Sequence, residues 1–271
     1  MSALPTPATD TSQSSKTLRT DRQGPILSIE LNTPDQGNAI TETLLDELLA
    51  VLDTQDPDVR VIVLSGAGPD FCQGGDRSEY AEQLAQDPTG GGIRISGTKA
   101  RRVCEALSTN AAVTIARIQG KAIGAGLALA LACDLRVGAE NATFRLPELA
   151  LGLPTAWGGL FPRLLSEVGV ARVRELILTS RAFTAQEAHA FSILQNVVPE
   201  PDLDTAVTAW AKPILRRSTT ALRVNKLLFN AHGAASRLVD ASGLDAELMA
   251  SVLAETEYLR SQGQRRTGRL I

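Results

Sequence analysis

Two glycine-rich stretches are the places where this sequence could do chemistry. Gln73-Gly74-Gly75-Asp76 closes a long loop, GAGPDFCQGGD, over residues 66–76, and Gly124-Ala125-Gly126 opens the apolar run IGAGLALALACD over 123–134. Glycine inside a helix costs about 1 kcal/mol relative to alanine, so burial alone does not account for two of them in a first turn. A helix N-terminus carries free N–H groups and the positive end of the helix dipole. Small residues there let a ligand oxygen reach the backbone. The 73–76 loop also bares backbone N–H groups, and two such donors aimed at one oxygen make an oxyanion hole. Close packing of a helix on a strand favours Gly and Ala as well, and on these residues alone both readings stand.

The titratable residues are mostly read as structural. Asp134 ends the apolar run and is expected to bond backbone or an arginine. Asp76 is expected to fix its loop through local N–H groups. Glu79 and Tyr80 are close enough to reach a bound group, but a solvated helix face is the stronger reading. His189 and His232 fall in helical segments, and nothing places either in the cleft that a Ser–His–Asp hydrolase needs. Cys72, Cys104 and Cys133 are odd in number and widely spaced, which suggests neither a disulfide framework nor a metal site. Reduced thiols of this kind suit a cytoplasmic protein. A net charge of −3 argues against a nucleic-acid surface. The longest apolar run is well short of the ~18 residues of a membrane span. Arg77, Lys121 and Lys226 are the basic residues to test for phosphate contact.

The elements that must position these groups follow from periodicity. Strands are expected over 26–31, 60–65, 113–118 and 135–137, with a helix at about 41–52. A short helix starts at Ser78 as N-cap, residues 87–92 form a mobile breaker, and a helix runs over about 97–107. The 123–134 run begins another helix soon after its strand. From Gly158 onward the chain reads helical apart from a strand at Val197–Val198, ending in helices over 203–216, 220–229 and 234–259. Strands alternating with helices indicate a mixed α/β class with a wound sheet. Residues 1–24 are rich in Ser, Thr, Pro and Asp and lack the apolar stretch of a signal peptide, so they read as a disordered leader. The expected organisation is a leader over 1–24, an α/β core over 25–200 and a helical region over 201–271. The basic tail QGQRRTGRLI is expected to be disordered or to fold onto a neighbouring subunit.

The sequence resembles the enoyl-CoA hydratase/isomerase (crotonase) superfamily over about residues 26–226. The marks are PDQGNAI (34–40), VIVLSGAGPDFCQGGD (61–76), IQGKAIGAGLALALACDLRVGAENATF (118–144), LPELALGL (146–153) and RELILTSRAFTAQEAHA (174–190). Each is loose alone; their order and spacing are specific. The resemblance implies a crotonase-like spiral of ββα units, a C-terminal helical trimerisation region and a homotrimer or hexamer. It implies an acyl-thioester substrate on CoA or a carrier protein, with CoA or phosphopantetheine as part of the substrate and no separate cofactor. The N–H groups of Gly75 and Ala125 would hold the thioester oxygen as it becomes an enolate, with Gly74, Asp76, Gly124 and Trp157 near the substrate. Family hydratases carry two glutamates. One matches Glu148; the other position is occupied here by Ala128. One carboxylate can still move a proton from one carbon to another, which puts isomerisation slightly ahead of hydration, dehydration or decarboxylation. A catalytically silent subunit of the same fold is the alternative. As a base, Glu148 would need an apolar pocket to raise its pKa, and Leu149, Leu151, Leu153 and Trp157 are the expected walls.

Overall fold

The computed structural model describes residues 11–235 and 241–255. The main sheet begins with β1 (Thr11–Ser14), β2 (Leu18–Gln23) and β3 (Ile26–Leu31), which pair antiparallel in sequence order. It continues in parallel through β4 (Val61–Gly66), β5 (Val113–Ile118), β7 (Leu135–Ala139) and β10 (Asn196–Val198). Register is set by burial. β3 alternates, with Leu27, Ile29 and Leu31 inward, whereas β4 is buried on both faces, as parallel strands between layers are.

A second, smaller sheet holds β6 (Lys121–Ile123), β8 (Thr143–Arg145) and β9 (Ala182–Thr184). Backbone bridges Cys72–Ala122 and Ile40–Gly75 tie the glycine loop to the edge of this layer. α1 (Glu42–Thr54) starts at Thr41, whose side chain accepts from Leu44 N–H, and buries Leu44, Leu45, Leu48, Leu49 and Leu52 on one face. α2 (Arg77–Gln86) and α3 (Gly91–Thr109) follow the glycine loop. α4 (Ala125–Ala132) is buried along its whole length, against α3, β6 and α5 (Leu160–Glu167). α6 (Val170–Thr179), α7 (Ala185–Ala190), α8 (Leu203–Leu215) and α9 (Thr219–Ala235) complete the described chain with a last helix over 245–255.

Several expectations are corrected. Residues 11–23 of the supposed leader form β1 and β2, while residues 1–10 lie outside the described residues. The hairpin is polar in composition because its support is tertiary. Leu18 is buried opposite Leu31, and the Glu47 carboxylate accepts from Ser15 Oγ, Lys16 N and Thr17 N at 2.8, 3.1 and 2.9 Å. α2 is capped by Asp76, two residues before Ser78, through bonds from Ser78 N (2.8 Å) and Glu79 N (3.3 Å). The breaker at 87–92 is a turn held by Asp87, which accepts from Thr89 N and Gly91 N, both at 2.9 Å, and α3 starts directly from it. β6 and β9 escape periodicity because three residues carry no usable period. The basic tail and the end of the expected 234–259 helix lie outside the described residues.

Candidate functional site

The two glycine stretches meet. The carbonyl of Gly74 accepts from Ile40 N, and Asp76 N donates to the Ile40 carbonyl, both at 2.9 Å, so the 73–76 loop is held flat as a strand segment. The Gly75 N–H between them is left without an acceptor among the described residues. On the facing loop, Gly124 N donates to the Arg145 carbonyl at 2.9 Å, and Ile123 N to the Cys72 carbonyl at 3.0 Å. The chain then turns at Gly124 (φ +51°) into α4, leaving Ala125 N–H as an unpaired first-turn donor. A Cβ on Gly74 would lie 3.9 Å from Ala125 N, so the loops touch at the point where both free donors are exposed.

The two glycines of the α4 turn have different reasons to be there. A Cβ on Gly126 would collide with the Cys72 carbonyl oxygen, which is the close-packing requirement. At Gly124 the positive φ already favours glycine, and a Cβ would lie 2.7 Å from Glu148 Oε1. Gly124 therefore keeps backbone bare beside a carboxylate, and the close-packing reading holds at Gly126.

Glu148 follows β8 through Pro147 and starts a single 3₁₀ turn, Leu149–Leu151. Its carbonyl accepts from Leu151 N (3.0 Å) and Leu153 N (2.8 Å), which turns the side chain inward, where the residue is 8% exposed. Oε2 has no hydrogen-bond partner. Burial raises its pKa to about 7, offset in part by its own backbone N–H.

These groups line one cavity of ≈ 270 Å³, together with Gln73, Arg77, Tyr80, Arg145, Trp157 and, from the last helix, Met249. Gly74, Gly75, Gly124, Ala125, Glu148 and Trp157 are thus brought together. Asp76 is not: its carboxylate caps α2, and the Ser78 hydroxyl bonded to it holds its pKa below the usual range. Of the expected walls, Leu151, Leu153 and Trp157 are present, Leu151 as an exposed rim residue, while Leu149 is not among the lining residues. Ala128 is fully buried inside α4. Glu148 is the one carboxylate among the cavity-lining residues described.

Arg145 was missed, and Tyr80, read as part of a solvated helix face, lines the cavity instead. The signal for Tyr80 was its spacing from Leu84, one turn apart on an otherwise polar helix; both join a small apolar cluster with Ile93, Met249 and Ala250. Glu79 instead accepts from Glu42 N at 2.9 Å. Of Arg77, Lys121 and Lys226, only Arg77 lines this cavity. Lys121 is exposed away from it. Lys226 is buried, pairing with Asp134 at 2.7 Å and donating to the Ala112 carbonyl at 2.9 Å. That pair lies in a larger cavity of ≈ 560 Å³ beneath α9, which holds none of the free glycine-loop donors. Asp134 also accepts from Thr114 N and Oγ1 at 2.8 and 3.0 Å, a structural role. His189 bonds the Leu194 carbonyl through Nδ1 at 2.9 Å, away from the site.

The chain is 34% identical over 231 residues to a peroxisomal Delta(3,5)-Delta(2,4)-dienoyl-CoA isomerase of Arabidopsis thaliana, covering 80% of this chain and 82% of that one. It is 30% identical over 253 residues to a hydroxycinnamoyl-CoA hydratase-lyase of Pseudomonas fluorescens, covering 92% and 91%. A Thermobifida fusca YX structure in complex with CoA superposes with a TM-score of 0.74 at 30% identity, over 90% of this chain and 95% of that one. The profile of the enoyl-CoA hydratase/isomerase family matches residues 21–264, and the chain belongs to that family.

Proposed function

We propose that this enzyme shifts a carbon–carbon double bond within an acyl-CoA thioester. The thioester oxygen sits between Gly75 N–H and Ala125 N–H. Glu148, as carboxylate, takes a proton from a carbon activated by the thioester, and the electron pair moves onto the oxygen as an enolate. The same carboxyl returns the proton to another carbon of the conjugated system, so the double bond migrates with no atom gained or lost. The observation that carries this reading is the single carboxylate among the cavity-lining residues, with Ala128 buried where family hydratases hold a second. One carboxyl of pKa about 7 can act as base and then acid near neutrality; adding water across a double bond asks for a second group to orient it.

The test is a panel of enoyl-CoA substrates in heavy water containing oxygen-18. Deuterium in an isomerised product without oxygen-18 supports the proposal. Oxygen-18 incorporation at a rate matching the best other reaction overturns it in favour of hydration. We also propose self-association through α9, whose Val224, Leu227, Leu228 and Phe229 are exposed.

A further inference from the structure

We propose that Tyr80 is a catalytic residue, its phenolic hydroxyl serving as a third hydrogen-bond donor to the enolate oxygen beside the N–H groups of Gly75 and Ala125. The inference rests on the enolate reading above. The hydroxyl lies against the glycine loop: a Cβ on Gly75 would be 2.7 Å from it, placing it beside the Cα bonded to the free N–H. Trp157 lines the same cavity, and its indole N–H faces the Tyr80 oxygen closely enough to offset part of the rise in its pKa. An indole N–H only donates, so the Tyr80 oxygen is the acceptor in that pair. The phenolic proton then has no acceptor in the protein among the described residues, and it is left to face the cavity. Burial keeps this proton in place, since the pKa of Tyr80 is raised to about 12, with Glu79, Glu42 and Asp76 adding to the rise. Tyr80 therefore stays a neutral donor throughout the range in which Glu148 titrates.

The number of lone pairs shows where such a donor acts. A thioester carbonyl oxygen offers two, which the two backbone N–H groups satisfy. When Glu148 removes the carbon-bound proton, the electron pair reaches the oxygen and a third lone pair develops. A third donor is then met only in the enolate, and an interaction made only there lowers the barrier without tightening substrate binding. Tyr80 transfers no proton, and the balance of the reaction is unchanged.

The experiment compares wild type with Tyr80→Phe, using acetoacetyl-CoA as probe because it ionises to an enolate visible by ultraviolet absorbance. The expected result is an apparent pKa for bound acetoacetyl-CoA at least about one unit higher in Tyr80→Phe, a tenfold change in the ionisation constant. Turnover of the best substrate should fall about 10- to 10²-fold with KM within a few-fold. Trp157→Phe, which frees the phenol to turn, should shift the enolate pKa the same way by less. An unchanged enolate pKa in Tyr80→Phe overturns the proposal whatever reaction is catalysed. A raised KM with unaltered kcat also overturns it and marks Tyr80 as packing only. Because the enolate measurement does not depend on where a double bond moves, hydration by the wild type would sink the isomerase reading while leaving this one to be judged on its own.

Discussion

At the scale of single residues, the proposed chemistry turns on one carboxyl whose burial raises its pKa and whose Oε2 has no hydrogen-bond partner. In the proposed mechanism Glu148→Gln keeps shape and removes the base, and steady-state turnover should drop at least about 10²-fold. For the wild type, kcat/KM should rise with pH through about 7, since the free enzyme must hold Glu148 as carboxylate. The same shift acts on stability with a defined sign. Between the ordinary value of 4.5 and the folded value of about 7, the folded chain holds a proton that the unfolded chain has released. Raising pH across that window therefore lowers stability, and above about 7 the cost is constant. Glu148→Gln abolishes it. The stability of the variant relative to wild type should increase from pH 4.5 to 7 by about 3 kcal/mol at most, then level off, as read by urea denaturation at several pH values. A difference that shrinks over that range would show that the carboxyl is not buried as described.

Among the elements, the α4 turn joins packing to chemistry. Gly126→Ala would press a methyl group against the Cys72 carbonyl, and backbone cannot step aside as a flexible side chain can. Overpacking of this kind costs about 1–3 kcal/mol, measurable as a lower denaturation midpoint. Gly124→Ala meets a different neighbour. It places a left-handed conformation on a residue with a Cβ and sets that atom 2.7 Å from Glu148 Oε1. Turnover should fall at least about tenfold through displacement of the carboxyl, and the midpoint of the kcat/KM pH profile should move away from 7. A Gly124→Ala enzyme with wild-type turnover and pH profile would dissociate the turn from the base. The Asp76 cap of α2 belongs to this scale too. Its removal by Asp76→Ala should cost about 1 kcal/mol with substrate KM little changed, because the carboxylate faces Ser78 and not the cavity.

For the whole molecule, the proposed association through α9 makes Phe229, 76% exposed, a sensitive position. Phe229→Glu should lower the mass seen by light scattering, whereas a wild-type chain that is monomeric at micromolar concentration would remove the proposal. The α/β class, the central strands and the two glycine loops were legible in the residues, since apolar period and glycine placement are local, and the family followed from the order and spacing of the motifs. The sequence also marked Glu148 and the vacancy at Ala128, because the resemblance aligns them residue by residue. The tertiary structure decided the rest. β1 and β2 are polar strands that exist because Glu47 and the sheet edge receive them, and composition counts no distant partner. Tyr80 and Met249 reach the cavity from helices far apart in the chain, and Asp76 turns away from it to cap a helix. Lys226 is a buried partner of Asp134 and not a surface cation. In each case the side chain's type was visible in the sequence, but its direction was set by contacts between residues that only folding brings together.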